Sequence, residues 1–74
     1  MTYGDKLRVM RAVRNMSQTE LAELTGLKGP YLSDYETGKS LPTPEREAII
    51  AEALGWTRYV QDALEDLEAA LDEG

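Results

Sequence analysis

The apolar residues of the first fifteen positions recur at the spacing of an α-helix. One broad face, taken at about 100° per residue, holds the apolar side chains of Tyr3, Leu7, Val9, Met10 and Val13. Arg8 and Arg11 fall outside this face. The pattern predicts a first helix that ends near Asn15.

A capping pattern and a glycine delimit the second predicted helix. Ser17 and Glu20 have the spacing of a capping box, in which the hydroxyl accepts from the Glu20 amide and the carboxylate accepts from the Ser17 amide. Gly26 can adopt the left-handed conformation that ends a helix. The inward residues of this helix are predicted to be Leu21, Ala22 and Leu24.

Glycine and proline also delimit the next two helices. The third is predicted to run from residue 29 or 30 to residue 37, with Gly38 as its end. After a loop, Thr43 is placed as an N-cap, with Pro44 at the first helical position. The fourth helix ends at Gly55, and its inward residues are predicted to be Ile49, Ile50, Ala53 and Leu54.

A narrow apolar stripe marks the last segment. It consists of Trp56, Val60, Leu64, Leu67 and Leu71. Acidic residues surround it, which predicts an amphipathic fifth helix over residues 57–72. At 1.5 Å per residue this helix is roughly 24 Å long, more than a domain of this size needs to close its core. We therefore expect part of the stripe to remain available to a partner.

Composition restricts the possible functions. Seventy-four residues allow one domain with a modest core, which disfavours an enzyme with an enclosed pocket. There is no cysteine and no histidine, so we expect no disulfide, no metal site and no cofactor. No apolar run approaches the roughly 20 residues that span a bilayer, and the N-terminus lacks the layout of a signal peptide. We expect a cytoplasmic, soluble protein that is not an enzyme.

The net charge of −6 is unevenly distributed along the chain. Residues 1–40 contain six basic and five acidic residues, whereas residues 41–74 contain two basic and nine acidic residues. Phosphates would repel the acidic second half. If the chain binds nucleic acid, that half should face away from it. The acidic residues also favour solubility, and the two interpretations are compatible.

Residues 18–36, QTELAELTGLKGPYLSDYE, have the spacing of a DNA-binding helix-turn-helix. Ala22 provides the small residue where the second and third helices meet, and Gly26 lies in the turn. Leu27, Leu32 and Tyr35 are the apolar anchors after the turn. The opposite side of the third helix would then be free to enter a major groove about 12 Å wide.

Several sequence blocks in the right order carry a family resemblance. They are LRVMR, MSQTELAELTGL, YLSDYETGK, LPTPE and IIAEALGW. Over roughly residues 5–56 the chain resembles the Cro and lambda-repressor-like helix-turn-helix proteins. The resemblance implies an all-α, compact five-helix DNA-binding domain. Residues 1–56 would form its core, and residues 57–74 an extended acidic amphipathic helix of the same domain.

The resemblance implies DNA contacts from three places in the chain. The positions from which family members touch DNA are here Gln18, Lys28, Gly29, Pro30, Tyr31, Asp34, Lys39, Ser40 and Thr43. Gln18 would meet a phosphate at the start of the second helix. Lys39 would be the main phosphate contact of the loop, whereas Thr43 is better explained as a cap. Base contact and simple exposure are equally compatible with Asp34, because phosphates disfavour a carboxylate in the groove unless it pairs with cytosine.

Other positions within the implied interface are less polar or more ambiguous. Gly29 and Pro30 offer no side-chain hydrogen bond, although Pro30 could contact a thymine methyl group. Lys28 could donate to guanine or to a phosphate. Tyr31 could bind a phosphate or pack on the second helix.

A further pair of residues is implied to have a structural role. Arg11 and Glu36 match two family positions that form an ion pair between the first and third helices. A partly buried charge must be paired, so Arg11 would be chiefly structural.

Three hypotheses for function follow. The first is a homodimeric operator-binding repressor, of the phage, plasmid or toxin-gene control type, because one helix reads too few base pairs and paired half-sites lie about 34 Å apart. The second is an antitoxin-like protein whose last helix docks a protein partner. In either case the contacts would come from Val60, Leu64, Leu67 and Leu71. The third is a protein-interaction module that does not bind DNA, suggested by the acidic charge.

Overall fold

The computed structural model describes residues 1–73, which form five α-helices and no strand. The helices are α1 (Tyr3–Val13), α2 (Gln18–Thr25), α3 (Gly29–Thr37), α4 (Pro44–Leu54) and α5 (Arg58–Glu73). The all-α, five-helix prediction is confirmed. Within this part of the chain, no helix combines the length and apolar character needed to cross a membrane.

Side-chain caps determine where several of the helices begin. Ser17 Oγ accepts from the Glu20 amide at 3.0 Å, and Thr43 Oγ1 accepts from the Arg46 amide at 3.3 Å. These caps were predicted, but the return bond from the Glu20 carboxylate is not found within residues 1–73. The complete capping box lies at Thr2 and Asp5, where each side chain accepts from the other residue's amide.

The turn from α2 to α3 has the predicted backbone. Gly26 adopts a left-handed conformation with φ of 73° and donates from its amide to the Ala22 carbonyl. A residue with a Cβ atom is strained in this conformation, so glycine is favoured here. The first helix ends at Val13, two residues before the predicted end, and Asn15 adopts a positive φ of 52° in the connection.

The core consists of side chains from all five helices. Its buried members are Leu7, Met10, Leu21, Leu32, Tyr35, Ile50, Leu54 and Leu64. Tyr3, Val9, Ala22 and Leu27 are partly buried against this cluster. Burial of apolar area is the main source of stability in a chain that contains no disulfide.

Three of the predicted inward residues are exposed. Val13, Leu24 and Ile49 have exposed fractions of 70%, 63% and 42%. Ile49 precedes the fully buried Ile50, and adjacent helical residues point about 100° apart, so only one of them can face the core. Leu24 lies only about 60° around α2 from the fully buried Leu21, so its exposure shows that the covered part of that helix does not extend to it. The buried side of these short helices is narrower than their apolar side.

The first half of helix α5 packs against the core of the domain. Leu64 is buried in the core, and Val60 and Trp56 are partly buried against it. The Trp56 ring stacks on Tyr3 of α1, with centroids 5.5 Å apart. Farther along α5, the N-terminal ammonium forms an ion pair with Glu68.

The far end of the apolar stripe remains exposed. Leu67 and Leu71 have exposed fractions of 52% and 69%. The stripe predicted as an interface therefore divides into a core half, Val60 and Leu64, and a free half, Leu67 and Leu71. Leu64 packs in the core of its own chain and is not available to a partner.

Candidate nucleic-acid interface

Helix α3 presents one face to the core and the other to solvent. Leu32 and Tyr35 are buried, with exposed fractions of 0% and 2%. The residues predicted to contact bases occupy other sides of the helix. Pro30 and Tyr31 are exposed, and Gly29 and Asp34 are half-buried.

Side-chain hydrogen bonds stabilise the turn that orients α3. The Thr25 hydroxyl donates to the Leu21 carbonyl at 2.8 Å and accepts from the Leu27 amide at 3.3 Å. Thr25 thus links the last turn of α2 to the residue that anchors the connection in the core. Sequence reasoning did not single out Thr25, although a threonine beside a turn glycine often makes such local bonds.

An ion pair joins α3 to α1. The Arg11 guanidinium donates from Nε and Nη2 to the two carboxylate oxygens of Glu36, each at 2.8 Å. A third bond runs from Arg11 Nη1 to the Met16 carbonyl at 2.9 Å. Glu36 is almost fully buried, and its hydrogen bonds raise the pKa of Arg11 above its ordinary value. This arrangement connects α1, α3 and the segment before α2.

The loop after α3 is folded onto the end of that helix. The Asp34 carbonyl accepts from the amides of Gly38, Lys39 and Ser40, the last two at 2.9 and 3.4 Å. Lys39 and Ser40 are therefore held beside the last turn of α3, and both are exposed.

A second lysine lies at the other end of the helix. Lys28 is the N-cap residue of α3, makes no side-chain capping bond and is exposed. Lys28 and Lys39 thus flank the two ends of α3.

The two remaining predicted contacts lie on neighbouring elements. Gln18, the first residue of α2, is half-buried. Thr43 is exposed and its hydroxyl caps α4, which is the role that the sequence favoured for it.

One cation beside α3 was missed by sequence reasoning. The Arg46 guanidinium lies 4.8 Å from the centroid of the Tyr31 ring and donates to the Tyr35 hydroxyl at 3.1 Å. This hydrogen bond raises the pKa of Arg46 above its ordinary value. Arg46 is fifteen residues from Tyr31 in sequence, so no local spacing pattern could indicate the contact.

The described residues show no arrangement suited to metal binding. Within residues 1–73, no three aspartate or glutamate side chains come together as potential ligands. The predicted contacts around the exposed side of α3 instead offer lysine, amide, hydroxyl and carboxylate groups.

Comparison with known proteins agrees with this geometry. The family described as "Helix-turn-helix domain" matches residues 2–67, which include α1 to α4 and the part of α5 up to Leu67. The chain belongs to this family. The resemblance to Cro and lambda-repressor-like proteins is thereby confirmed.

Two phage proteins are similar to this helix-turn-helix domain. The "Immunity repressor protein" of Bacillus phage phi105 is 34% identical over 55 residues, which is 74% of this chain and 38% of that protein. "Repressor protein C" of Escherichia phage P2 is 34% identical over 58 residues, which is 78% of this chain and 59% of that protein. The helix-turn-helix domain thus spans about two fifths to three fifths of the relatives that it matches.

Proposed function

We propose that this chain binds double-stranded DNA as a transcriptional repressor, with α3 in the major groove. The observation that carries the proposal is the exposed side of α3, held by the Gly26 turn and the Arg11–Glu36 ion pair and flanked by Lys28 and Lys39. Both phage relatives are named as repressors, which supports the same function. A regulator of this kind, encoded by a phage or by a bacterium, would act in the bacterial cytoplasm, where the DNA is.

The contacts fall into two groups by chemistry. Lys28, Lys39, Gln18 and Ser40 would bind phosphates or donate to base edges, because their side chains carry hydrogen-bond donors. Pro30, Tyr31 and Asp34 would determine which bases are accepted. Gly29 has no side chain and would allow the helix to approach the groove closely.

Selection of bound duplexes from a random-sequence pool tests the proposal. We expect the full chain to enrich a common sequence at low salt. On that duplex, Lys28→Ala and Lys39→Ala should each reduce the slope of log affinity against log salt by about 0.9 per bound copy. Arg58→Ala, which removes an exposed cation from α5, is the matched control and should bind like the wild type. If both lysine variants bind the duplex with the wild-type affinity, this surface is not the DNA-binding site.

We further propose that two copies bind together, with Leu67 and Leu71 of α5 at the contact between them. Both are exposed leucines on one helix beyond the part that packs in the core. One recognition helix reads few base pairs, so a two-fold pair on half-sites about 34 Å apart is needed for useful specificity. Acidic side chains on α5 would repel across such a contact, so salt should strengthen self-association while weakening DNA binding.

Point substitutions test the dimer better than deletion of residues 57–74, because deletion would also remove Leu64 from the core. We expect a Leu67→Gln, Leu71→Gln double variant to sediment as a monomer and to keep its helical content. If the variant remains dimeric, the contact lies elsewhere. A wild-type monomer that is captured through the same leucines by a basic protein would instead support the antitoxin-like alternative.

A further inference from the structure

Arg46 connects a surface tyrosine of α3 to a buried one. It is the third residue of α4, and its guanidinium lies against the Tyr31 ring while donating to the hydroxyl of Tyr35. Tyr35 is in the core, whereas Tyr31 is 42% exposed on the helix proposed to enter the groove. The guanidinium is therefore held at the edge of the candidate interface by two contacts with α3.

The surroundings of Arg46 leave most of its binding capacity unused. A guanidinium has five N–H donors, and within residues 1–73 only one hydrogen bond, to Tyr35, uses them. The ion pairs of the described residues join the N-terminus to Glu68, Arg8 to Asp5 and Arg11 to Glu36, and none of them includes Arg46.

The position on the helix is also unfavourable for a cation. The first turn of a helix carries partial positive charge, which disfavours an arginine at that position. A negatively charged group from outside the chain would offset this repulsion. Phosphate matches the planar donor pattern of a guanidinium and can accept two parallel hydrogen bonds.

We propose that Arg46 is a DNA-contacting residue, whose spare donors bind a phosphate while its contact with Tyr31 fixes the orientation of that ring on α3. This inference rests on the proposed DNA-binding function and adds a third cation to Lys28 and Lys39. The contact with Arg46 also restricts the Tyr31 ring to one orientation, so that its hydroxyl is presented to DNA at a fixed position.

The salt dependence of binding to the selected duplex separates these contributions. Arg46→Gln and Arg46→Met both remove the charge of the side chain. Methionine also retains a long apolar side chain at this position. Loss of one phosphate contact per copy should reduce the slope of log affinity against log salt by about 0.9, or about 1.8 for two copies. When salt is raised from 50 to 200 mM, the affinity of the dimer for the duplex falls by some factor. For a neutral Arg46 variant this factor should be about twelvefold smaller than for wild type.

Two further variants control for charge and position. Arg46→Lys keeps the cation but loses the planar face and fork, so it should retain the wild-type slope while binding the selected duplex less tightly than wild type. Arg58→Gln removes an exposed cation from α5 and should change neither quantity. Thermal unfolding of each variant identifies those that fold, and either neutral variant of Arg46 suffices for the comparison.

The outcomes distinguish this inference from the function on which it rests. If the wild-type chain retains no duplex, the proposed function fails. If the wild type binds and a folded neutral variant of Arg46 has the wild-type slope, Arg46 does not bind a phosphate and the inference is overturned. A reduced slope in the neutral variants, with the slope kept in Arg46→Lys and Arg58→Gln, supports it.

Discussion

The ion pair between Arg11 and Glu36 offers a sharp test of how α3 is held. Glu36→Gln preserves the size of the side chain but removes its charge and one acceptor oxygen. Two charge-assisted hydrogen bonds of 2.8 Å are affected, and Glu36 is 4% exposed. Breaking a buried pair by altering one partner costs about 3–5 kcal/mol. We expect the lower end, about 3 kcal/mol, because Arg11 keeps its bond to the Met16 carbonyl and is partly exposed.

A loss of this size is readily measured. In a domain of 60–100 residues each kcal/mol corresponds to roughly 4–8 °C, so the Tm should fall by about 12–24 °C. Urea unfolding followed by circular dichroism and by Trp56 fluorescence gives the free energy of unfolding directly. Arg8→Gln is the matched control, because its ion pair with Asp5 is exposed to solvent and should contribute far less to stability than the pair of Arg11 and Glu36.

A double variant tests the cause of the loss. In Arg11→Met, Glu36→Leu no buried charge is left without its partner, so this variant should be more stable than Glu36→Leu alone. The reasoning is refuted if Glu36→Gln and Arg8→Gln lose equal stability. It is also refuted if the double variant is less stable than the single one.

Three other predictions concern stability, and two of them include a matched control substitution. Gly4→Ala would place a Cβ atom in steric overlap with the Glu36 carbonyl oxygen, so α1 and α3 must separate and stability should fall by about 1–3 kcal/mol in urea unfolding. Gly29→Ala is the control and should lose far less, because its Cβ atom would meet no atom within 4 Å. Leu64→Ala should lose about 2–5 kcal/mol and Leu71→Ala less than about 0.5 kcal/mol by the same measurement, because only Leu64 is in the core. Tyr3→Phe should be as stable as wild type or more so at pH 7, because within residues 1–73 the buried Tyr3 hydroxyl has no hydrogen-bond partner. Burial, and to a smaller extent the charge of a nearby glutamate, raises the pKa of Tyr3 above its ordinary value near 10, so the folded state holds this proton more tightly than the unfolded state does. Wild type should therefore lose stability as pH rises above about 10. An equal loss of stability in Tyr3→Phe would contradict this.

The boundaries of the helices were predictable because they depend on local backbone chemistry. Glycine at position 26, the hydroxyl of Ser17 and proline after Thr43 act on their own or neighbouring residues, and a short stretch of sequence shows them. The cap of α1 was not predicted, although Thr2 and Asp5 have the spacing of a capping box and form a complete one.

The residues at the edge of the core were harder to predict, because their burial depends on which helices pack against each other. Apolar residues on the margin of a helix face, such as Leu24 and Ile49, are buried only if a neighbouring helix extends over them. The sequence indicated the apolar side of each helix but not its covered width. The division of α5 between Leu64 and Leu67 has the same origin.

Within the candidate interface, the exposed side of α3 and its two flanking lysines followed from the motif. Arg46 did not, because its contacts are with side chains of another helix. The predicted DNA contacts and the dimer contact remain predictions for the binding experiments described above.

The carbonyl of Asp34 accepts from the amides of three successive residues, so main-chain hydrogen bonds hold the loop that carries Lys39 and Ser40. Side chains at 39 and 40 can therefore be exchanged without reshaping the segment that presents them. Because phosphate contacts carry no sequence information directly, substitutions at these two positions are suited to adjusting the strength and salt dependence of DNA binding while the architecture and the base-reading surface of α3 stay constant.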